Sequence, residues 1–483
     1  MKRGDGVARR HGRGNLGEIG GLIQAPALEA RPEVGCIWRC VGQVEAFRSP
    51  GMTLVLWIYR ILFIPLLLVI GPIYLWKSRG RTGAKSVFGQ RMGRLPQMPA
   101  KRSGVKRVWI QAVSVGEFLA VQPVIDALLE DEAVEVVLTT TTITSQQIAQ
   151  ERYGERVILV GYFPIDFWPW MSAAWESLQP DLMLLTEGEW WPEHLAQARR
   201  RRVPVLCLNA RMSDRSFGRL RMVRPLLAGV RSGLTRLLAS SATDAERFRS
   251  LGFRDEQVTV TGNIKVDIVI NRIGAGAASD LKKSLGFAER DLILLGASTW
   301  AGEEAALVRV WQSVREAVDA PLRLLLVPRH AERRDDVEAT VKASGVKYAL
   351  RSRDEIEGPV DVYIADTTGE LQHLTQIADV VFGGRTLPPH REGQTPVEAA
   401  GLGRALVMGP EMTNFRAIAQ GLVAQGAARR VSDEDELTTA VCELLTNPAA
   451  RDKMGACGEA WHQANRGSLA LTLQEIRQAM GQI

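Results

Sequence analysis

The chain has 483 residues, 46% of them hydrophobic and 24% charged, and at about 150 residues per domain it suggests two to four domains. That balance excludes a wholly disordered or collagen-like chain. Sixty Lys and Arg against 54 Asp and Glu leave +6, too mild by itself to imply nucleic acid. The five cysteines (Cys36, Cys40, Cys207, Cys442 and Cys457) form no paired framework. They argue against a disulfide-stapled secreted protein and for an intracellular one.

Residues 1–51 are Gly- and Arg-rich with little periodicity. They read as a disordered extension, or as residues upstream of a true start at Met52. Thr53–Trp76 follows, apolar except for Arg60 and broken in rhythm by Pro65, Gly71 and Pro72. Its uninterrupted part, Ile61–Trp76, is short of the roughly 20 apolar residues of a spanning helix. It is therefore expected to be an uncleaved anchor that spans with Arg60 snorkelling, or lies embedded at the surface. Trp57, Tyr59, Tyr74 and Trp76 cluster at its ends as an interfacial belt would. From Lys77 to Arg107 come ten basic residues and no acid. The positive-inside rule then places the body of the protein on the cytoplasmic face, docked on anionic lipid.

From Lys106 onward short β-branched runs alternate with helical patterns: Arg107–Val113, Val134–Thr140, Val157–Val160, Asp181–Leu185, Val203–Leu208, Leu237–Ala239 and Val258–Thr261. After a polar, Gly-rich stretch from Asn271 to Ser279 the alternation resumes with Leu292–Gly296, Leu322–Val327, Val346–Leu350, Val360–Ala365, Val380–Phe382 and Ala405–Met408. The expected architecture is α/β, with two doubly wound, Rossmann-like domains facing across a cleft. The expected divisions are 52–80 for anchor and basic flank, 81–270 for the first domain and 271–483 for the second.

Ligands of such sheets bind beyond the carboxyl ends of the strands. The first run ends in Ser114-Val115-Gly116-Glu117 at the start of a helix, where a carboxylate suits either chemistry or a capping role. The run ending at Leu185 continues Thr186-Glu187-Gly188-Glu189-Trp190-Trp191, two carboxylates beside two aromatic faces for sugar or acyl groups, or a loop with Trp in the core. Lys265 follows the seventh run, as a cation for a departing anion or as a solvated surface charge. The second half offers Pro328-Arg329, Thr368-Gly369-Glu370 and Thr395-Pro396-Val397-Glu398 in loops suited to a nucleotide. There is no P-loop, the G-x-G of Gly274 and Gly276 sits in the connector rather than after the first strand, and the six histidines are dispersed. Asp433 and Asp435 read as a helix cap rather than a metal clamp, so a transfer without metal or cofactor is expected.

The ordered motifs S-V-G-E, E-x-E-x-W-P, N-A-R-x-S-x-R-S, G-N-x-K-x-D, S-T-x-x-G-E-E, V-P-R-H-x-E-R, D-T-x-G-E-L and G-G…P-x-E-A-A resemble those of the 3-deoxy-D-manno-octulosonic acid (Kdo) transferases. The resemblance runs from about Met52 to Met480. It implies a glycosyltransferase-B fold, a membrane anchor, CMP-Kdo as donor, the lipid A precursor as acceptor, inversion at the anomeric carbon and no metal. By the same resemblance Glu117 is the general base, and Glu187 and Lys265 stabilise the transition state. CMP contacts fall on Pro328, Arg329, Thr368, Gly369, Glu370, Thr395, Pro396, Val397 and Glu398. This chain departs where the family commonly has G-G-x-N-P-L-E, since it reads Glu392-Gly393-Gln394-Thr395-Pro396-Val397-Glu398. Gln111 also stands where a His is frequent. The resulting expectation is a Kdo transferase of lipopolysaccharide synthesis on the cytoplasmic face of the inner membrane, with no nucleic-acid partner. A related enzyme on another sugar nucleotide, such as an epimerase, and a non-catalytic binding paralogue are the alternatives.

Overall fold

The structure, a computed structural model, describes residues 50–78, 84–96, 98–353 and 358–481. The expectations for residues 1–49, for Arg79 and Arg81, and for the side chains of Tyr74, Trp76, Lys77 and Lys85 lie outside the described residues.

Seven strands make the first sheet: β1 (Lys106–Ala112), β2 (Val134–Thr140), β3 (Leu159–Tyr162), β4 (Leu182–Thr186), β5 (Val205–Ala210), β6 (Arg236–Ala239) and β7 (Val258–Val260). They pair in the order β3-β2-β1-β4-β5-β6-β7, all parallel. Lys106 pairs with Val134 and Ala112 with Thr140, so β1 and β2 end level. Alternate residues of β1 feed opposite faces: Val108 and Ile110 pack with Phe118 and Val124, and Trp109 packs with Trp175 and Leu195. Burial on both faces is why these strands read as continuous apolar runs rather than as alternation.

A second sheet repeats the design with β8 (Leu292–Thr299), β9 (Leu322–Pro328), β10 (Tyr348–Leu350), β11 (Val362–Ile364), β12 (Val380–Gly383), β13 (Ala405–Met408) and β14 (Arg429–Arg430). Its order is β10-β11-β9-β8-β12-β13-β14, again parallel. The two-residue β14 is too short and too charged to have been expected. The connector, expected as loop to Ser279, turns into the helix Ala275–Ser284.

The last helix amends the expected boundary. Ser468–Ala479, assigned by sequence to the second domain, packs on the first, with Ile476 and Met480 in the Val108–Phe118 core. Glu475 reaches Arg236 at 3.5 Å. An amphipathic face demands burial but does not say against which sheet.

Pro50–Ser78 is one helix, and among the described residues no helix is long and apolar enough to cross a membrane. Arg60 does not snorkel. It forms a bidentate pair with Glu193 (2.8 and 3.0 Å), the two side chains being 7% and 0% exposed. Its guanidinium also lies 5.0 Å from the rings of Trp57 and Trp168. One residue earlier, the Tyr59 hydroxyl donates to Asp166 Oδ2 at 2.8 Å, and Asp166 accepts the backbone N–H groups of Glu193 and His194. Leu54, Ile58, Ile61, Leu62, Leu68 and Val69 are left exposed. The basic flank is also partly structural: Arg107 is buried against Glu135, Arg102 pairs with the same carboxylate, and Lys101 pairs with Asp181.

Removing one partner of a buried pair strands the other charge. Arg60→Met or Glu193→Gln should each cost about 3–5 kcal/mol in denaturant unfolding, and the double variant should cost less than the sum. Burial also sets an opposed pair of pH effects beside this contact. It holds the His194 imidazole down to about 3, so below the ordinary 6.5 the unfolded chain takes a proton that the folded chain refuses, and stability falls with pH. Burial raises Asp166 to about 6 despite its hydrogen bonds, so the folded chain takes that proton first and gains stability as pH falls from 6 towards 3.8. Between pH 7 and 5, His194→Gln should abolish a loss of about 2 kcal/mol and Asp166→Asn a gain of about 1 kcal/mol, read from unfolding curves at each pH.

Candidate active site

The helix Val115–Leu129 starts directly beyond β1, with Ser114 as its N-cap accepting from Glu117 N. Glu117 answers the cap: Oε1 accepts from Ser114 Oγ (3.0 Å), and Oε2 accepts from Val113 N (3.1 Å) and from Thr186 Oγ1 at the end of β4. The capping reading of Glu117 therefore holds, and it is compatible with the chemical one. It caps the helix, and the capping bonds fix a half-buried carboxylate between the ends of two adjacent strands.

Glu187 follows Thr186 with φ of 55°, in the left-handed region, which turns its side chain along the strand ends. Its Oε1 meets Lys265 Nζ at 3.0 Å and its Oε2 meets Arg211 at 2.6–2.7 Å. Lys265 is thus not a solvated surface charge. It belongs to a triad of two cations and one carboxylate with net charge +1, and its ammonium lies 6.0 Å from the Phe415 ring of the second domain. Arg211 is the residue that sequence reasoning missed. It stood in the N-A-R motif without a role, and only the pairing of β4 with β5 carries it to Glu187. Glu189 has its carboxyl raised by burial and by the charges of Glu117 and Glu187, against a hydrogen bond from Trp191. The two tryptophans divide: Trp190 packs on Phe248 and Phe253 as core, and Trp191 is exposed. Gln111, at the end of β1, is fully buried with neither amide atom partnered.

In the second domain Pro328 closes β9, and Arg329 N donates to Thr299 O at the end of β8. Burial raises the Glu398 carboxyl, offset in part by the charge of Arg329. Thr368, Gly369 and Glu370 form the loop after β11, Gly369 with φ of 89°. Burial works to raise Glu370, yet the hydrogen bond from Thr367 and the pair with Arg351 (2.9 Å) outweigh it and leave the carboxylate below its ordinary range. Thr395 and Pro396 precede the short helix Val397–Gly401. Thr395 Oγ1 accepts Val397 N at 3.4 Å, and the Val397 side chain is core, so only the backbone at 397 is placed to meet a ligand.

A carboxylate whose role the sequence left open organises this end. Glu303, 1% exposed, accepts four backbone N–H groups: Trp300 (2.9 Å), Arg385 (2.7 Å), Thr386 (2.8 Å) and Leu387 (3.1 Å). It thereby clamps the loop after β12 to the loop after β8. Arg385, at φ of 61°, lies over the Trp300 ring at 4.2 Å, and His330 and His390 flank the same ring. Gly384 must remain glycine, since a Cβ there would stand 2.4 Å from Ser298 O. Next to Glu303, Glu304 pairs with Arg333, and the two neutralise one another. Asp433 caps the helix Glu434–Thr446. Among the described residues no three His, Cys, Asp or Glu gather as metal ligands would.

The same pair of all-parallel sheets is found in other solved two-domain proteins. A solved UDP-GlcNAc 2-epimerase from Neisseria meningitidis, bound to UDP-GlcNAc, shares it at a TM-score of 0.51 and 12% identity, over 77% of this chain and 100% of that one. The family profile described as 3-deoxy-D-manno-octulosonic-acid transferase matches residues 86–268. The 3-deoxy-D-manno-octulosonic acid transferase of Bordetella pertussis is 32% identical over 85% of this chain and 96% of its own length. Its counterpart in Haemophilus influenzae is 30% identical over 77% of this chain and 86% of its own length. The chain belongs to the Kdo transferase family of glycosyltransferases.

Exchanging Glu303 for Gln replaces a charged acceptor with a group that presents one N–H face to the loop donors. Glu303→Gln should lower stability by about 2 kcal/mol and raise the Michaelis constant for the nucleotide donor more than it lowers kcat, in steady-state kinetics beside the wild type.

Proposed function

We propose that this enzyme moves Kdo from CMP-Kdo to a lipid A precursor, with inversion and without metal, while docked on the cytoplasmic face of the inner membrane. The observation that carries the reading is the juxtaposition at the ends of β1 and β4: a fixed carboxylate, Glu117, beside a triad of net positive charge. Glu117 takes the proton of the acceptor hydroxyl as its oxygen attacks the anomeric carbon of the donor. The bond from that carbon to the phosphate oxygen breaks, and CMP leaves with one more negative charge. Lys265 and Arg211 offset that charge, with Glu187 holding both cations in place rather than meeting the substrate itself. Arg329, the Thr368-Gly369-Glu370 loop, the Thr395–Val397 backbone and Glu398 bind the cytidine nucleotide. The bare apolar side of Pro50–Ser78, too short of apolar length to span, suits an interfacial position in which the acceptor's chains stay in lipid.

Acceptor-dependent release of CMP from CMP-Kdo, with a tetraacyl lipid A precursor in detergent, tests the reaction. Wild type should release CMP and product mass should count the sugars. Glu117→Gln should lose roughly 10²–10⁴ in kcat while retaining CMP binding. Release undiminished in that variant would remove Glu117 as the base. No release by wild type would turn attention to Thr395, whose hydroxyl is already engaged with Val397, and to a different sugar nucleotide.

A further inference from the structure

Between the N-terminal helix and the first domain lies an apolar cavity of about 390 Å³, within the range of ligand pockets, roughly 300–1,000 Å³. Val55, Leu56 and Tyr59 form one wall; Pro192, Ala196 and Arg199, on one face of the helix Pro192–Arg201, form another. Leu226, Leu227 and Val230 complete it. Nothing in the transfer chemistry uses this space. Its wall also includes Gly188, however, the residue immediately after Glu187, so the cavity and the reaction site share the loop beyond β4.

We propose that this cavity binds one hydrocarbon chain of the acceptor lipid. The inference deepens the transfer reading and rests on it. Three observations choose the occupant. First, the lining side chains are apolar except for the Tyr59 hydroxyl, the Trp190 indole N–H and Arg199, and Tyr59 spends its hydroxyl on Asp166, so the space suits hydrocarbon rather than sugar. Second, Leu226 lines the cavity while 54% exposed, and Met222 and Val223 beside it are exposed too, so the lining continues outward into bare apolar surface. Third, the surroundings are cationic: Arg199 and Arg200 end the helix Pro192–Arg201, and exposed Arg219 and Arg221 bracket the lining residue Leu220. A chain attached to a phosphorylated headgroup satisfies all three. The N-terminal helix then acts as a partition, with Val55, Leu56 and Tyr59 turned to the cavity and Leu54, Ile58 and Ile61 bare on the other side.

The test compares two acceptors, a tetraacylated glucosamine disaccharide bisphosphate and its deacylated form, in the full-length enzyme and in Ala196→Phe, which fills the cavity. Wild type should prefer the acylated acceptor in kcat/KM, and Ala196→Phe should cut that preference at least about tenfold. An unchanged preference in a folded variant overturns the proposal. Absence of transfer to either acceptor by wild type overturns the transfer reading instead, and with it the acceptor role of the cavity. A second measurement needs no variant: the acylated acceptor carrying a diazirine in one chain is irradiated with wild type, beside a phospholipid carrying the same chain. Cross-links from the acceptor probe at Val55, Leu56 and Tyr59 and at Leu226, Leu227 and Val230, in excess over the phospholipid, support the assignment. Cross-links confined to Leu54, Ile58 and Ile61, or equal labelling of the cavity by both probes, overturn it.

Discussion

The parallel pairing of β1 with β4 is the constraint from which the candidate site follows. In a doubly wound sheet the connections on the two sides of the first strand leave in opposite directions, and a crevice opens where the order reverses. Glu117 begins the helix after one strand of that pair and Thr186-Glu187 ends the other, so the contact between Thr186 and Glu117 exists only because the strands are neighbours. β8 and β12 stand in the same relation in the second sheet, and Glu303 ties their loops together. Both halves thus concentrate their chemistry at the same topological position. The left-handed backbones of Glu187, Ser298 and Arg385 lie there too, held by surrounding hydrogen bonds.

Most of the fold was legible in the sequence because strands buried on both faces must be apolar throughout. Thirteen strand positions were read from that rule, and Val134–Thr140 and Ala405–Met408 match to the residue. What escaped was whatever depends on the third dimension. Arg429–Arg430 has no apolar signature, so its pairing with β13 could be found only in space. The helix Ser468–Ala479 lies after the last strand of the second sheet yet packs on the first, and chain order gave no sign of that destination.

In the candidate site the sequence offered residues but not their contacts. Glu117, Glu187 and Lys265 were singled out, yet the pattern gave no sign that Glu187 and Lys265 neutralise one another or that Arg211 joins them. Glu303 and Glu304 are adjacent and chemically alike, but one gathers four backbone donors and the other a guanidinium. Arg60 misled for a physical reason: a cation in an apolar run normally seeks the headgroups, and its partner Glu193 lies 133 positions away in sequence. With that partner the charge becomes the feature that seats the helix on the domain.

The return of the last helix to the first domain has a mechanical meaning. The polypeptide passes from one sheet to the other just after Asp267 and comes back at Gly467, and the Asp267 carboxylate accepts the backbone N–H groups of Gly467 and Leu469 at 2.8 and 2.5 Å. The outgoing and returning segments are therefore riveted at one point. Two bodies joined by a single strand can swivel freely. Two joined by a pair of segments pinned together have one axis about which to bend and resist torsion around it. Any relative movement of the two sheets is then confined to bending about that one axis.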